Sequence, residues 1–208
     1  MHPNNAFRRT DRQIALDAAS EIGFGTLAVS TEGAPLLSHV PFLIAEDGES
    51  AELHLVRSNP IARLAAPLQA RLAVSGPHGY VSPDWYEVDD QVPTWNYVAV
   101  HLTGQLERLP QDELPALLDR LSDHFEAELA PKPVWTMDKM RREPLEKMLR
   151  QIVPFKLHID AVESTFKLSQ NKPDGVRLRA AEALDAAALR PDAGQLATLM
   201  RDPPREEG

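Results

Sequence analysis

Cysteine is absent from this chain of 208 residues. Disulfides, thiolate ligands for metals and cysteine nucleophiles are therefore all excluded. Long apolar runs are missing too, since none approaches the ~18 residues that cross a bilayer, and the N-terminal stretch lacks the apolar segment of a signal peptide. These absences together lead us to expect a soluble cytoplasmic protein.

Positive charge is scarce and scattered along the chain. Asp and Glu outnumber Lys and Arg by 31 to 22, which gives a formal net charge of −9. Binding to a nucleic-acid backbone needs clustered Lys and Arg, because counterion release supplies most of the affinity. Direct nucleic-acid binding is therefore not expected.

The signatures of several enzyme classes are missing as well. The chain has no HExxH metal motif, no GxSxG nucleophile elbow and no GxxxxGK[ST] phosphate loop. The seven histidines lie far apart in sequence. We predict no metal site, although strands could still bring together His39, His54, His78 and His101.

Aromatic residues make up only 6% of the chain, yet residues 76–106 hold two of the three Trp and all three Tyr. Side chains that form hydrogen bonds are interleaved with these rings, namely His78, Ser82, Thr94, Asn96 and His101. Rings combined with convergent polar groups are typical of a small-molecule pocket. The alternative is an aromatic-rich pair of strands whose polar tips reach water.

Hydrophobic periodicity predicts the order of the elements. Helices are expected at 10–22, where Thr10 and Gln13 form a capping box, and at 111–129 and 138–152. Strands are expected at 24–30, 36–44, 51–57, 71–75, 94–109 and 153–159, followed by a further stretch at 161–168. These elements indicate a mainly β, α+β protein built on an antiparallel barrel with helices at its ends.

The chain is predicted to form one barrel domain over residues 1–175. The residues after Gly175 are rich in Ala, Arg and Glu. We expect a tail at 176–208 with one or two exposed helices or partial disorder, ending in a disordered segment at 202–208.

Three segments offer polar groups for a ligand. Arg57, Ser58 and Asn59 join a strand to a predicted short helix, where free N–H groups, the helix dipole and the arginine suit an anion. An ordinary helix start with its arginine in water is the alternative. Residues 167–172 suit a polar ring edge or a phosphate, and a solvated turn would look the same. His39, inside an apolar strand, is more commonly a core residue than a ligand or base.

Five separated segments, in this order and spacing, resemble the PaiB family, also called FMN-binding negative transcriptional regulators. The resemblance covers roughly residues 1–175. The segments are Ser38-His39-Val40-Pro41-Phe42, His54-Leu55-Val56-Arg57-Ser58-Asn59-Pro60, Gly76-Pro77-His78-Gly79-Tyr80-Val81-Ser82-Pro83 with Trp85-Tyr86, Val92-Pro93-Thr94-Trp95-Asn96-Tyr97, and Phe166-Lys167-Leu168-Ser169-Gln170-Asn171.

The resemblance implies an FMN-binding split β-barrel of the flavin-reductase and pyridoxamine-phosphate-oxidase type, with FMN at a homodimer interface. By the resemblance, the FMN phosphate would lie near Arg57, Ser58 and Asn59. The isoalloxazine and ribityl groups would lie against Ser38, His39, Thr94, Trp95, Asn96 and Tyr97. The remaining implied residues, from the same chain or its partner, would close the site: Lys167, Ser169, Gln170 and Asn171.

We interpret such a protein as a flavin-dependent oxidoreductase or a flavin-binding protein, with NAD(P)H or a small molecule as substrate. In this interpretation the cofactor carries the hydride chemistry and the protein supplies position and charge. Lys167 is the candidate for a positive charge beside the flavin. The alternative is a negative transcriptional regulator that acts through flavin sensing or a partner protein, since no helix-turn-helix is recognisable.

Overall fold

Six antiparallel strands close into a barrel in a computed structural model of the chain, which describes residues 1–204. Around the barrel the strands follow the order β1-β2-β3-β6-β5-β4. The strands are β1 (Phe24–Val29), β2 (Leu36–Ile44), β3 (Ser50–Val56), β4 (Leu68–Val81), β5 (Thr94–Arg108) and β6 (Ile152–Lys167). This architecture confirms the predicted mainly β barrel.

Five α-helices accompany the strands within residues 1–204. They are α1 (Arg12–Ile22), α2 (Leu114–Ala127), α3 (Arg142–Leu149), α4 (Asp174–Ala187) and α5 (Ala193–Arg201). The cap of α1 is Asp11, whose carboxylate accepts from Gln13 N at 2.7 Å, and the predicted capping box at Thr10 is wrong. None of the helices in the described part of the chain is both long and apolar enough to cross a membrane.

Two compact units divide the chain. The first unit comprises Met1–Ala19, Val74–His101 and the residues from Val162 onward, and the second comprises Ser20–Ala73 and Leu102–Ala161. The residues of β4, β5 and β6 are shared between these units.

The second unit is built on alternating strands. In β3, Ala51, Leu53 and Leu55 are at most 2% exposed, while the residues between them are half-buried, as expected when successive side chains point to opposite faces. Helix α2 completes this core through Leu117 and Leu121. Gly23 ends α1 at a φ of +59°, a conformation that favours glycine.

Helices α4 and α5 contribute buried faces to the first unit, so the expectation of exposed C-terminal helices is wrong. Leu184 in α4 and Leu196 and Met200 in α5 are at most 3% exposed. The nearest atom to a Cβ built on Gly79 of β4 is Leu196 Cδ2, at 3.2 Å. The predicted disorder at 202–208 falls partly on residues 205–208, which lie outside the described residues.

Two strands are longer than predicted. β4 continues to Val81, through a Gly-Pro-His-Gly sequence that resembles a turn, instead of ending near Ser75. β6 is one strand of 16 residues where two were expected. Gly104 of β5 is a place of close backbone approach, since a Cβ there would lie 1.7 Å from His158 O.

Candidate functional site

Alternate residues of β5 face different surroundings. Thr94 and Asn96 line a cavity of about 310 Å³ in the first unit, whereas Trp95 lines another cavity and is 40% exposed. We call the first the Lys167 cavity. It is lined by Phe7, Tyr86, Asp90, Gln91, Val92, Thr94, Asn96, Lys167, Ser169, Asn171 and Lys172. Five of the residues implied by the family resemblance therefore share one cavity, and they are Thr94, Asn96, Lys167, Ser169 and Asn171.

A buried hydrogen-bond network centres on Ser169. Its hydroxyl lies 2.8 Å from the Tyr86 hydroxyl and accepts from Asn96 Nδ2 at 2.9 Å. Burial raises the pKa of Tyr86, against an opposing effect of its hydrogen bond to Ser169, so the phenol stays protonated. Ser169 itself has a φ of +63°, an unusual conformation for a non-glycine residue that is typical of functional sites.

Gln170 does not line the cavity but forms hydrogen bonds with the backbone just before Ser169. Its amide oxygen accepts from Leu168 N at 2.8 Å, and its amide nitrogen donates to Phe166 O at 2.5 Å. The same nitrogen lies 3.3 Å from Ala6 O. Gln170 therefore fixes the backbone that presents Ser169 and Asn171.

Asn96 presents a buried acceptor to the Lys167 cavity. Its side chain is fully buried, and no partner for Oδ1 is found within residues 1–204. An unsatisfied buried acceptor costs about 1–3 kcal/mol, so a ligand that donates a hydrogen bond here would recover that energy. FMN carries suitable donors in its ring N–H and its ribityl hydroxyls.

Two ammonium groups line the same cavity. Lys167 Nζ donates to Thr94 Oγ1 at 2.6 Å, and Lys172 Nζ donates to Gln91 Oε1 and lies 4.4 Å from the centroid of the Tyr86 ring. Neither lysine forms an ion pair in the part of the chain that the structure describes, although the Asp90 carboxylate belongs to a residue of the same wall. Burial lowers the pKa of Lys167, because desolvation disfavours the charged ammonium, and an anionic ligand beside it would oppose this effect.

The second unit holds the predicted phosphate segment. Asn59 Nδ2 donates to Ser38 Oγ at 3.0 Å, and Asn59 Oδ1 accepts from Ile61 N at 2.9 Å. The predicted short helix is only a single 3-10 turn, Ile61–Arg63, so the helix-dipole argument for an anion site is wrong here. Ser58 is exposed beside it.

The Arg57 guanidinium is already partly engaged. Its Nε donates to Arg150 O at 2.9 Å, and its Nη2 donates to Gln111 Oε1 at 2.6 Å and lies 3.4 Å from Ile152 O. Nη1 forms no hydrogen bond or ion pair among residues 1–204. Arg57 therefore ties its strand end to the segment before β6 and keeps one nitrogen for a ligand.

His39 is exposed on β2, so the core interpretation of this histidine is wrong. Its Nδ1 lies 3.0 Å from Thr26 Oγ1, and its ring stacks on Phe24 with centroids 6.5 Å apart. Trp95 and Tyr97 lie on the opposite face of β5 from Asn96. Phe7 and Gln91 also line the Lys167 cavity. They could not be predicted as site residues, because nothing in the sequence places them beside Lys167.

Among solved structures, the fold is similar to that of two flavin proteins. The FAD and heme binding protein from Mycobacterium smegmatis matches with a TM-score of 0.56 and 22% identity, over 77% of this chain and 73% of that one. The flavocytochrome Anf3 from Azotobacter vinelandii matches with a TM-score of 0.58 and 15% identity, over 80% and 72%. These likenesses show the fold of the chain, a split β-barrel.

Sequence comparison gives the family. Residues 1–161 match the family described as "Putative FMN-binding domain". The "Protease synthase and sporulation protein PAI 2" of Bacillus subtilis is 32% identical over 199 residues, covering 94% of each chain. The chain belongs to this PaiB-type family of FMN-binding domains, and its cofactor is FMN or a related flavin.

Proposed function

We propose that this protein is a flavin-dependent oxidoreductase whose flavin occupies the Lys167 cavity. The buried Oδ1 of Asn96 carries the proposal. This acceptor has no partner within residues 1–204, and it lines the cavity with two ammonium groups that form no ion pair in the same part of the chain, which suits a ligand with both N–H or O–H donors and negative charge. FMN supplies hydride and electron transfer when it is bound.

The chain's own residues bind and orient the cofactor in this proposal. Thr94, Asn96, Ser169 and Asn171 offer hydrogen bonds, and Lys167 supplies a positive charge. The Lys167–Thr94 hydrogen bond holds that ammonium in one position. A fixed cation stabilises negative charge that develops on a bound ligand during reduction.

The phosphate-binding role of Arg57, Ser58 and Asn59 remains part of the proposal. Two observations support it: Nη1 of Arg57 forms no hydrogen bond with the described residues, and Ser58 is exposed. A guanidinium already held by two carbonyl groups also loses little freedom when it binds a phosphate. Ser38 and His39 are proposed to contact the ribityl or ring portion. Trp95, Tyr97 and Gln170 do not line the Lys167 cavity, and we propose that they position its neighbouring residues.

We further propose a homodimer with FMN at its interface. Three large apolar side chains of the second unit support this: Phe24, Leu37 and Val56 are 53%, 59% and 55% exposed. Apolar surface of this kind is commonly covered by a partner. Light scattering should show a dimer at micromolar concentration, and a monomer that binds FMN at full strength would contradict the proposal.

A regulatory function is the second candidate, and the sporulation role in the name of the Bacillus subtilis relative favours it. Such a protein would sense flavin and act through a partner protein in the cytoplasm, because its net charge of −9 opposes direct binding to DNA. A nanomolar, salt-sensitive complex of the isolated protein with a defined duplex would contradict this form of regulation.

Binding and turnover must be measured separately to decide between the two functions. Protein reconstituted with FMN should quench the fluorescence of the flavin and co-elute with it on gel filtration. Steady-state oxidation of NADH and NADPH is then followed with and without candidate acceptors. Binding without turnover on any acceptor would favour regulation, whereas the absence of co-elution would contradict the flavin site itself.

A further inference from the structure

A second cavity of the first unit lies against the other face of β5. Its volume of about 530 Å³ falls within the roughly 300–1,000 Å³ of small-molecule sites. We call it the Trp95 cavity, and its lining residues used below are His78, Tyr80, Trp95, Leu189 and Arg190. The last two belong to the connection between α4 and α5, outside the residues 1–161 that match the FMN-binding family.

Large apolar side chains are exposed together in this cavity. Tyr80 is 42% exposed, Trp95 40% and Leu189 69%. Single exposed apolar residues are normal on a protein surface, but three around one concave site form a contact surface for an apolar ligand. The presence of two aromatic rings favours a planar ligand, since rings stack in offset or edge-to-face arrangements.

The hydrogen bond between Trp95 and His78 fixes a donor in the wall. Trp95 Nε1 donates to His78 Nδ1 at 3.2 Å, and the two rings stack with centroids 5.8 Å apart. Because an indole nitrogen only donates, Nδ1 of His78 is unprotonated and Nε2 carries the hydrogen. No partner of Nε2 is found within residues 1–204, so this N–H remains to donate to a ligand.

Arg190 adds a positive charge. Its guanidinium lies 5.2 Å from the centroid of the Trp95 ring, within the range of a cation–π contact, and it forms no ion pair among the described residues. The nearby acidic groups have other partners: Asp192 accepts from His78 N at 2.9 Å, and Asp185 pairs with Arg201 at 2.6 Å. The carboxylate of Asp192 keeps its charge, since its partner is a backbone N–H, but it forms no ion pair with Arg190 in the described part of the chain. Arg190 therefore places a cation on the aromatic wall.

We propose that the Trp95 cavity is a second ligand site, separate from the flavin, for a planar aromatic carboxylate. The ligand ring packs against Trp95 and Leu189, and its carboxylate accepts hydrogen bonds from Arg190 and His78 Nε2. A guanidinium matches a carboxylate with two parallel hydrogen bonds, so it selects an acid over the neutral amide of the same shape.

NMR of tryptophan indole groups tests this proposal in FMN-saturated protein. Three probes separate ring from charge: 2-naphthoate, the neutral 2-naphthamide and the non-planar cyclohexanecarboxylate. We expect 2-naphthoate to shift the indole signal of Trp95 and not those of Trp85 and Trp135. The two other probes should bind at least about tenfold more weakly, since each lacks either the charge-assisted hydrogen bonds or the stacking ring.

Two variants with equal change in charge complete the test. Arg190→Gln should weaken 2-naphthoate binding by about 10- to 150-fold and leave 2-naphthamide binding unchanged. Arg108→Gln, at an exposed arginine that ends β5, should change neither. The proposal is overturned if 2-naphthoate leaves the Trp95 signal unmoved at millimolar concentration, or if both variants weaken 2-naphthoate binding equally. It is also overturned if FMN, added to FMN-free protein, displaces bound 2-naphthoate. Failure of FMN to bind would contradict only the proposed function, because the probes can also be titrated without it.

Discussion

Replacing Arg57 with alanine should weaken FMN binding by about 10- to 150-fold, because a charge-assisted hydrogen bond is worth roughly 1.5–3 kcal/mol. The structure leaves Nη1 of this guanidinium for a ligand, while Nε and Nη2 hold the carbonyl groups of Arg150 and Ile152 and the amide of Gln111. Riboflavin lacks the phosphate and should bind the variant and the wild type almost equally.

The hydrogen bonds of the Arg57 side chain to Arg150, Gln111 and Ile152 contribute little to the stability of the protein. A loss of FMN affinity in Arg57→Ala can therefore be attributed to a lost contact with the ligand. All three side-chain hydrogen bonds of Arg57 lie at exposed positions, so water can replace them and the free energy of unfolding should fall by less than about 1 kcal/mol. Gln111→Ala is the control that keeps the charge: it removes one of these hydrogen bonds, together with the two that Gln111 Nε2 donates to Leu149 O and Ile152 O. Its FMN affinity should change less than about threefold, a difference below 1 kcal/mol.

Both ligands are titrated against the wild type and the two variants by flavin fluorescence, and unfolding is followed in urea. An Arg57→Ala protein that keeps full FMN affinity would show that Arg57 only ties the chain together. Equal losses for FMN and riboflavin would likewise exclude a phosphate contact. In either case the phosphate site would have to be sought at Lys167 or Lys172.

Three further changes test the fold and the cavity. Gly104→Ala should destabilise the protein by about 4 kcal/mol or more in urea unfolding, because a Cβ would lie 1.7 Å from His158 O, whereas Gly33→Ala, with nothing within 4 Å, should be nearly neutral. Burial lowers the pKa of His54 from 6.5, so the wild type should lose stability as the pH falls below about 6.5. In His54→Gln the melting temperature should therefore depend less on pH below about 6.5, and an equal dependence in the variant and the wild type would contradict this. Lys167→Gln should weaken FMN binding about tenfold, and undiminished fluorescence quenching would remove Lys167 from the flavin site.

Strands with regular alternation could be predicted from the sequence because the period of two is a local property. The bounds of β2, Leu36–Ile44, agree with the predicted range, and β5 ends within one residue of it. The end of β4 could not be predicted, because Gly76 and Pro77 are local turn signals, and only pairing with distant strands can override them.

The site around Ser169 could likewise be predicted only in part: the sequence gives candidate residues but not the contacts between them. The sequence motifs give Thr94, Asn96, Lys167 and Ser169 as candidates, yet no local pattern predicts that Tyr86 and Asn96 meet at the Ser169 hydroxyl. These contacts join residues 83 and 73 positions apart. Long-range contacts of this kind depend on the barrel topology, which brings the loop after β6 to the start of β5.

The segment from Thr94 to Tyr97 shows how one motif can serve two sites. As a continuous sequence motif, these four residues predict a single flavin site. A strand presents successive side chains on opposite faces, and here Asn96 lies inside with Ser169 while Trp95 lies outside with His78 and Arg190. Selection for ligand contacts can therefore act on alternate positions separately. A substitution at Thr94 or Asn96 and one at Trp95 should accordingly be interpreted as probes of different cavities, even though the residues are neighbours in the chain.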